Sequence, residues 1–80
     1  MNYELFQRVA LARDLPEKQL QRGDVATIVD CHPSNGGEPG YSIEVFNALG
    51  ETIAVTAVAE SYLQPLTAND IIHVRSLAEA

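Results

Sequence analysis

Any chemistry in this chain must run through very few side chains. The only cysteine, Cys31, lies between Asp30 and His32, and a second histidine, His73, follows far downstream near Asp70. Thiol, imidazole and carboxylate are the ligands of zinc and the parts of a cysteine nucleophile. A zinc centre needs three or four such groups at workable spacing. Adjacent residues of a strand point to opposite faces, so Cys31 and His32 would not turn to one ion. A Cys31–His73–Asp70 arrangement would need the base within hydrogen-bond reach, oxyanion donors and a pocket. Nothing in the spacing brings these together. The reading is a small buried thiol and a histidine at the solvent end of a strand. No catalytic residue, metal or cofactor is assigned.

Two further strings invite a functional reading and support a structural one. Gly36-Gly37-Glu38-Pro39-Gly40 is glycine-rich, but a phosphate cradle needs a Lys and a Ser or Thr after its second glycine, then a helix. Here a proline and a strand follow, so the segment reads as a loop. Arg22-Gly23-Asp24 spells an adhesion tripeptide, which would be out of place in the cytoplasmic protein expected below. Its expected role is to shape a loop: Gly23 supplies a positive φ, and Asp24 bonds turn amides. Arg22 is expected to pair with Asp14 or Glu17, an exposed contact of little energetic weight.

Charge is the feature with most functional pull. Five Lys and Arg stand against eleven acids among 80 residues, for a net charge of −6. That sign repels phosphate backbones and anionic membrane surfaces, and no two basic residues are adjacent. Residues 23–74 contain no Lys or Arg, while Glu38, Glu44, Glu51 and Glu60 fall within them. A negative field on one side of the domain would steer a basic partner; it would equally serve solubility. Glu38, Glu44 and Glu51, together with Tyr62, are the candidate partner surface.

The elements that must position these residues are strands. Eighty residues make one small domain, residues 1–80, with one core. A single cysteine allows no internal disulfide, and no apolar run approaches the roughly 20 residues of a membrane helix. The start resembles no secretory leader, which suggests a soluble, cytoplasmic protein. Leu5–Ala12 suits a strand or two helical turns, and Arg13–Gly23 is a long polar excursion. Asp24–His32 is the clearest strand, with Val25, Thr27, Val29 and Cys31 on one face and Ala26, Ile28, Asp30 and His32 on the other.

Tyr41–Asn47 alternates again, and a short loop ending at Gly50 joins it to Thr52–Val58 as an antiparallel hairpin. Ala59–Leu66 is too short for a helix, and Pro65 would break one, so it reads as one 3₁₀ turn. Ile71–Arg75 is the expected last strand, and residues 76–80 the expected frayed tail. The sum is an all-β domain of about five antiparallel strands with one short 3₁₀ turn. That order of strands and loops is the ground plan of an SH3-like barrel.

In outline the chain resembles an SH3 domain: an opening strand, an excursion closed by Gly23-Asp24, and a helical turn bearing Tyr62. In detail one pattern runs through Val9, Leu11, Asp14, Leu15, Pro16, Leu20, Arg22, Gly23, Asp24, Val25, Thr27, Ile28 and Val29. By that pattern the chain is similar to an uncharacterised bacterial family, frequent in cyanobacteria and catalogued as a domain of unknown function (family 4926). Ile71–Arg75 also looks like the family's ending, so the resemblance runs over about residues 5–75. It implies an SH3-like barrel in a bacterial cytoplasm and no assigned activity. Peptide-binding SH3 grooves stack several aromatic rings on a polyproline helix. This chain has no tryptophan and Val9-Ala10-Leu11 where such domains carry tyrosines.

The expected function is therefore a non-catalytic interaction or accessory module, antitoxin- or immunity-like in one version, whose acidic surface binds an unidentified, basic protein. A nucleic-acid or ribosome-associated barrel of the KOW type is a second reading, weakened because loop 33–40 has no basic residue. A self-associating structural protein is a third, with Ile71–Arg75 as the edge that pairs with its twin.

Overall fold

The computed structural model describes residues 2–77 of the chain. Five strands form one antiparallel sheet: β1 (Arg8–Leu11), β2 (Val25–His32), β3 (Gly40–Phe46), β4 (Thr52–Ala59) and β5 (Leu63–Pro65). Their order across the sheet is β4-β3-β2-β1-β5, so β4 and β5 are its edges. Two 3₁₀ turns, Pro16–Lys18 and Glu60–Tyr62, are the remaining regular elements, where one was expected.

The long β2-β3-β4 meander follows from alternation and turn chemistry. In β3, Tyr41, Ile43 and Val45 are buried while Ser42, Glu44 and Phe46 face the other way. β2 begins in the same manner, with Ala26 and Ile28 buried. A bulge between Ile28 and Asp30 then adds one residue to β2. Two residues of the bulged strand oppose one of its partner, so the facing shifts by one. Cys31 therefore leaves the face of Val25 and Val29, where alternation put it, and pairs with Tyr41 against the core. It is half-buried, not fully enclosed.

The last strand is a correction. Ile71–Arg75 forms no strand; β5 is Leu63–Pro65, directly after the second 3₁₀ turn. Leu63 pairs with Leu11, Gln64 with Ala10 and Pro65 with Val9, so the edge of β1 that a later strand would need is already filled. The 3₁₀ turn holds the chain next to that edge, since Ala12 donates its N–H to the Tyr62 carbonyl at 2.7 Å. The opening strand is also shorter than expected, four residues in place of Leu5–Ala12. Of the expected frayed tail, residues 78–80 lie outside the described residues.

The excursion between β1 and β2 is an organised loop. Leu15 and Leu20 exchange backbone hydrogen bonds of 2.9 and 3.1 Å around the Pro16–Lys18 turn, and both side chains are buried. Pro16 suits the first position of such a turn because its missing N–H would be unpaired there. Core side chains come from every strand and from the N-terminal segment, whose Tyr3 meets Tyr41 edge to face with ring centroids 5.4 Å apart.

Candidate functional site

The outer face of the β3–β4 hairpin gathers apolar and acidic side chains. Glu44 lies opposite Val55 on β4 and Thr27 on β2, so it stands mid-sheet on the face away from the core. Phe46, two residues on, is 43% exposed, and Val55 is 55% exposed. A second bulge, between Val45 and Phe46, leaves Ile53 as the extra residue of β4, also partly exposed. The Thr52 hydroxyl donates to the Glu44 carboxylate, which fixes the acid beside these side chains.

Glu51 closes the hairpin itself. Asn47 Oδ1 accepts the N–H groups of Leu49 and Glu51, both at 2.9 Å, and Asn47 Nδ2 donates to Glu51 Oε1 at 2.8 Å. Gly50, at φ +85°, supplies the left-handed residue such a loop needs.

Glu38 and Tyr62 stand elsewhere. Glu38 precedes β3 and accepts the Ser61 N–H at 2.6 Å, bracing the second 3₁₀ turn. Beside it, Glu60 accepts from the Tyr41 hydroxyl at 2.8 Å and from Asn2 Nδ2 at 2.9 Å. The Tyr41 hydrogen bond, with help from Asn2, holds the Glu60 carboxyl below its ordinary value. Tyr41 moves up instead, chiefly because burial disfavours its phenolate and also because it donates to Glu60. The Arg13 guanidinium lies 5.1 Å from the centre of the Tyr62 ring, within cation–π range. At about 3.3 Å per residue the length of β3 separates this group from Glu51 by roughly 20 Å. The four candidate residues thus split into two groups, Glu44 with Glu51 and Glu38 with Tyr62.

Arg22, Gly23 and Asp24 meet the first excursion as follows. Gly23 has φ +92°. Asp24 Oδ2 accepts the Gln21 N–H at 2.8 Å. The contact between Arg22 and Asp14 is made by the Arg22 backbone N–H, at 2.8 Å, where a guanidinium pair was expected. The ion pair goes to Arg75, whose Nε donates to Asp24 Oδ1 at 2.9 Å and whose Nη2 donates to Oδ2. Burial opposes ionisation of Asp24, but the hydrogen bonds from Arg75 and Gln21 and the charge of Arg75 outweigh it, and the carboxyl sits below its ordinary value. Arg75 moves up through the same hydrogen bond. The C-terminal segment held in this way leaves an open cleft of about 390 Å³ against the sheet, lined among others by Ala10, Val25, Gln64, Asp70 and Ile72.

The residues singled out for metal or nucleophile chemistry diverge. Cys31 packs toward the core, whereas His32 is exposed and its Nε2 lies 2.7 Å from Ser42 Oγ on the outer face. Asp30 Oδ1 accepts the Cys31 N–H at 2.9 Å. His73 and Asp70 are exposed on the C-terminal segment. Among the described residues, no three His, Cys, Asp or Glu side chains form a group able to hold a metal ion. No helix of the described residues is long and apolar enough to cross a membrane.

Sequence reasoning missed Phe46, Val55 and Arg75. The first two were visible as the alternate face of strands already recognised, opposite Ile43 and Val45. Arg75 gave no local signal, because its partner is far away in the chain.

Comparison with known proteins adds one finding on the family. A family model matches residues 5–65, ending with β5 where the resemblance read from the sequence ran on to residue 75. No curated protein and no solved structure matches the chain. With most of its length matched, including every strand, the chain belongs to the family described as Domain of unknown function (DUF4926).

Proposed function

We propose that the protein is a non-catalytic interaction module that binds a basic partner protein through the outer face of its β3–β4 hairpin. The observation that carries this reading is one face on which exposed Phe46 and Val55 flank the carboxylate of Glu44, with Glu51 at the adjoining turn. Exposed aromatic and aliphatic side chains beside a carboxylate offer a partner both contact area and a charge to pair with. The absence of Lys and Arg from residues 23–74 leaves these acids without basic neighbours in sequence, and a negative field accelerates encounter with a positive surface.

The strand order and the long excursion between β1 and β2 support an SH3-like barrel as the scaffold. Polyproline recognition fits poorly, since Tyr62 already stacks on Arg13. An antitoxin- or immunity-like role in the cytoplasm, covering the active surface of a basic protein, is the specific form we favour.

The test is affinity capture from an extract of the native cells with two baits, the wild-type chain and a Glu44→Gln/Glu51→Lys variant. A basic protein recovered near equal stoichiometry by the first and lost from the second is the expected result. Equal recovery by both baits would remove the acidic hairpin from the interface and overturn the proposal.

A further inference from the structure

We infer that the free edge of β4 is a self-association site, where a second copy of this chain adds its own β4 antiparallel about a two-fold axis at Thr56. A sheet edge presents unpaired N–H and C=O groups, and natural proteins blunt it with short strands, Lys, Pro or inward charges. The β5 edge is blunted: it has three residues and ends in Pro65, which has no N–H to offer. β4 has eight residues, TIAVTAVA, without a charge or a proline. Among the described residues, no strand pairs with its outer side.

The sequence of β4 commits the site to a second copy. Its bulge lies at Ile53, so Ala54–Ala59 pairs regularly with β3. A two-fold axis at Thr56 pairs Val55 with Ala57 of the other copy, twice, and Ala54 with Val58, twice. Thr56 faces its own counterpart. Each large side chain then meets a small one, and facing threonines are a favourable cross-strand pair. The contact is self-complementary, as a closed two-fold interface requires.

Charge permits the pairing at this edge. Glu44 and its counterpart would be separated by three strand spacings and two residues along the strand, roughly 16 Å from spacings of about 4.8 and 3.4 Å. That exceeds the screening length of about 8 Å at physiological ionic strength. Glu51 and Glu60 flank β4, and in this register Glu51 of each copy approaches Glu60 of the other at the two ends of the paired stretch. Salt therefore strengthens this association, whereas it would weaken binding of a basic partner. The inference stands apart from the proposed function for the same reason.

The test is sedimentation velocity of the full chain, from micromolar to near-millimolar, at low and high salt. A concentration-dependent dimer that tightens with salt is expected. Val55→Glu/Ala57→Glu, both on the exposed outer face, should raise its dissociation constant at least tenfold with the circular dichroism unchanged. Independently, Thr56→Cys in a Cys31→Ser background places two thiols across the axis at the Cα separation of an antiparallel pair, within disulfide range. Mild oxidation should link it as a dimer, and should leave Leu49→Cys at the hairpin tip unlinked.

A monomer at every concentration and salt overturns the inference, as does a dimer indifferent to the folded double variant. Linkage of Leu49→Cys as fast as Thr56→Cys also overturns it. A monomer that still captures a basic protein through the hairpin would sink the self-pairing alone.

Discussion

Asp24 and Arg75, 51 positions apart in the chain, are joined by two hydrogen bonds of one carboxylate to one guanidinium. The same guanidinium donates to the Gln19 carbonyl at 3.1 Å. One side chain therefore fastens the C-terminal segment to both ends of the turn that returns the first excursion to β2. Fork-to-fork pairs of this kind are stronger than single contacts, although partial exposure to solvent limits their weight.

Arg75→Ala should release that segment without dismantling the sheet. The expected cost is about 1 kcal/mol, or a Tm lower by roughly 5 °C for a domain of this size. Limited proteolysis should cleave within residues 66–77 sooner, while the amides of β2 and β3 keep their protection from exchange. Arg75→Lys retains the charge and loses the second donor, so its melting temperature should fall between the two. A uniform rise in exchange across the sheet would contradict a local clasp.

Acid should loosen the same contacts, and the sign follows from two carboxyls. Asp24 and Glu60 both sit below their ordinary values in the folded chain. A group depressed on folding contributes stability that is complete above its unfolded pKa and is lost as pH falls through the folded one. Thermal melts should therefore be flat from pH 7 to about 5 and fall below about 4. Asp24→Asn, melted over the same range, should show a smaller drop. An equal drop in both chains would assign the acid sensitivity to other groups.

Tyr41 links the core to that acidic turn. Its ring is fully buried, its hydroxyl donates to Glu60, and it accepts the Tyr3 N–H at 3.3 Å. Tyr41→Phe keeps the ring and strands the Tyr3 N–H, an expected loss of roughly 1–2 kcal/mol. Carbon-detected titration should also show the Glu60 carboxyl moving back up toward its ordinary value. No movement of Glu60 would mean that Asn2, not the tyrosine, sets its charge.

These pairings mark where the sequence was legible and where it was not. β2, β3 and β4 announce themselves because β-branched residues alternate between strong turn formers, Pro33–Gly37 and Asn47–Gly50. β5 does not: Leu63–Pro65 has little strand propensity, and only the waiting edge of Val9–Leu11 makes it a strand. Ile71–Arg75 has the better propensity and no edge left to join. Alternation also carries no mark of the bulge at Val29, which is why Cys31 shares the core face with Ala26 and Ile28 and not the face of Val25 and Val29. Net charge was plain in the composition. The destinations of the carboxylates were not, since Glu38, Glu44 and Glu60 each bond a residue brought near only by the fold.

The hairpin tip offers the sharpest local test. Asn47 accepts two backbone N–H groups through Oδ1 and donates to Glu51 through Nδ2, so its two halves can be removed separately. Asn47→Ala loses all three bonds and leaves the N–H groups of Leu49 and Glu51 to water, for an expected cost of about 1–2 kcal/mol and a Tm lower by roughly 5–10 °C. Asn47→Asp keeps the acceptor and strengthens it by charge, but sets a second carboxylate against Glu51. At neutral pH its melting temperature should lie between those of the wild type and the alanine variant, and added salt should bring it toward the wild type as the repulsion is screened. If the aspartate variant melts with the alanine one at every salt concentration, the amide donor to Glu51, and not the two accepted N–H bonds, is what holds the turn closed.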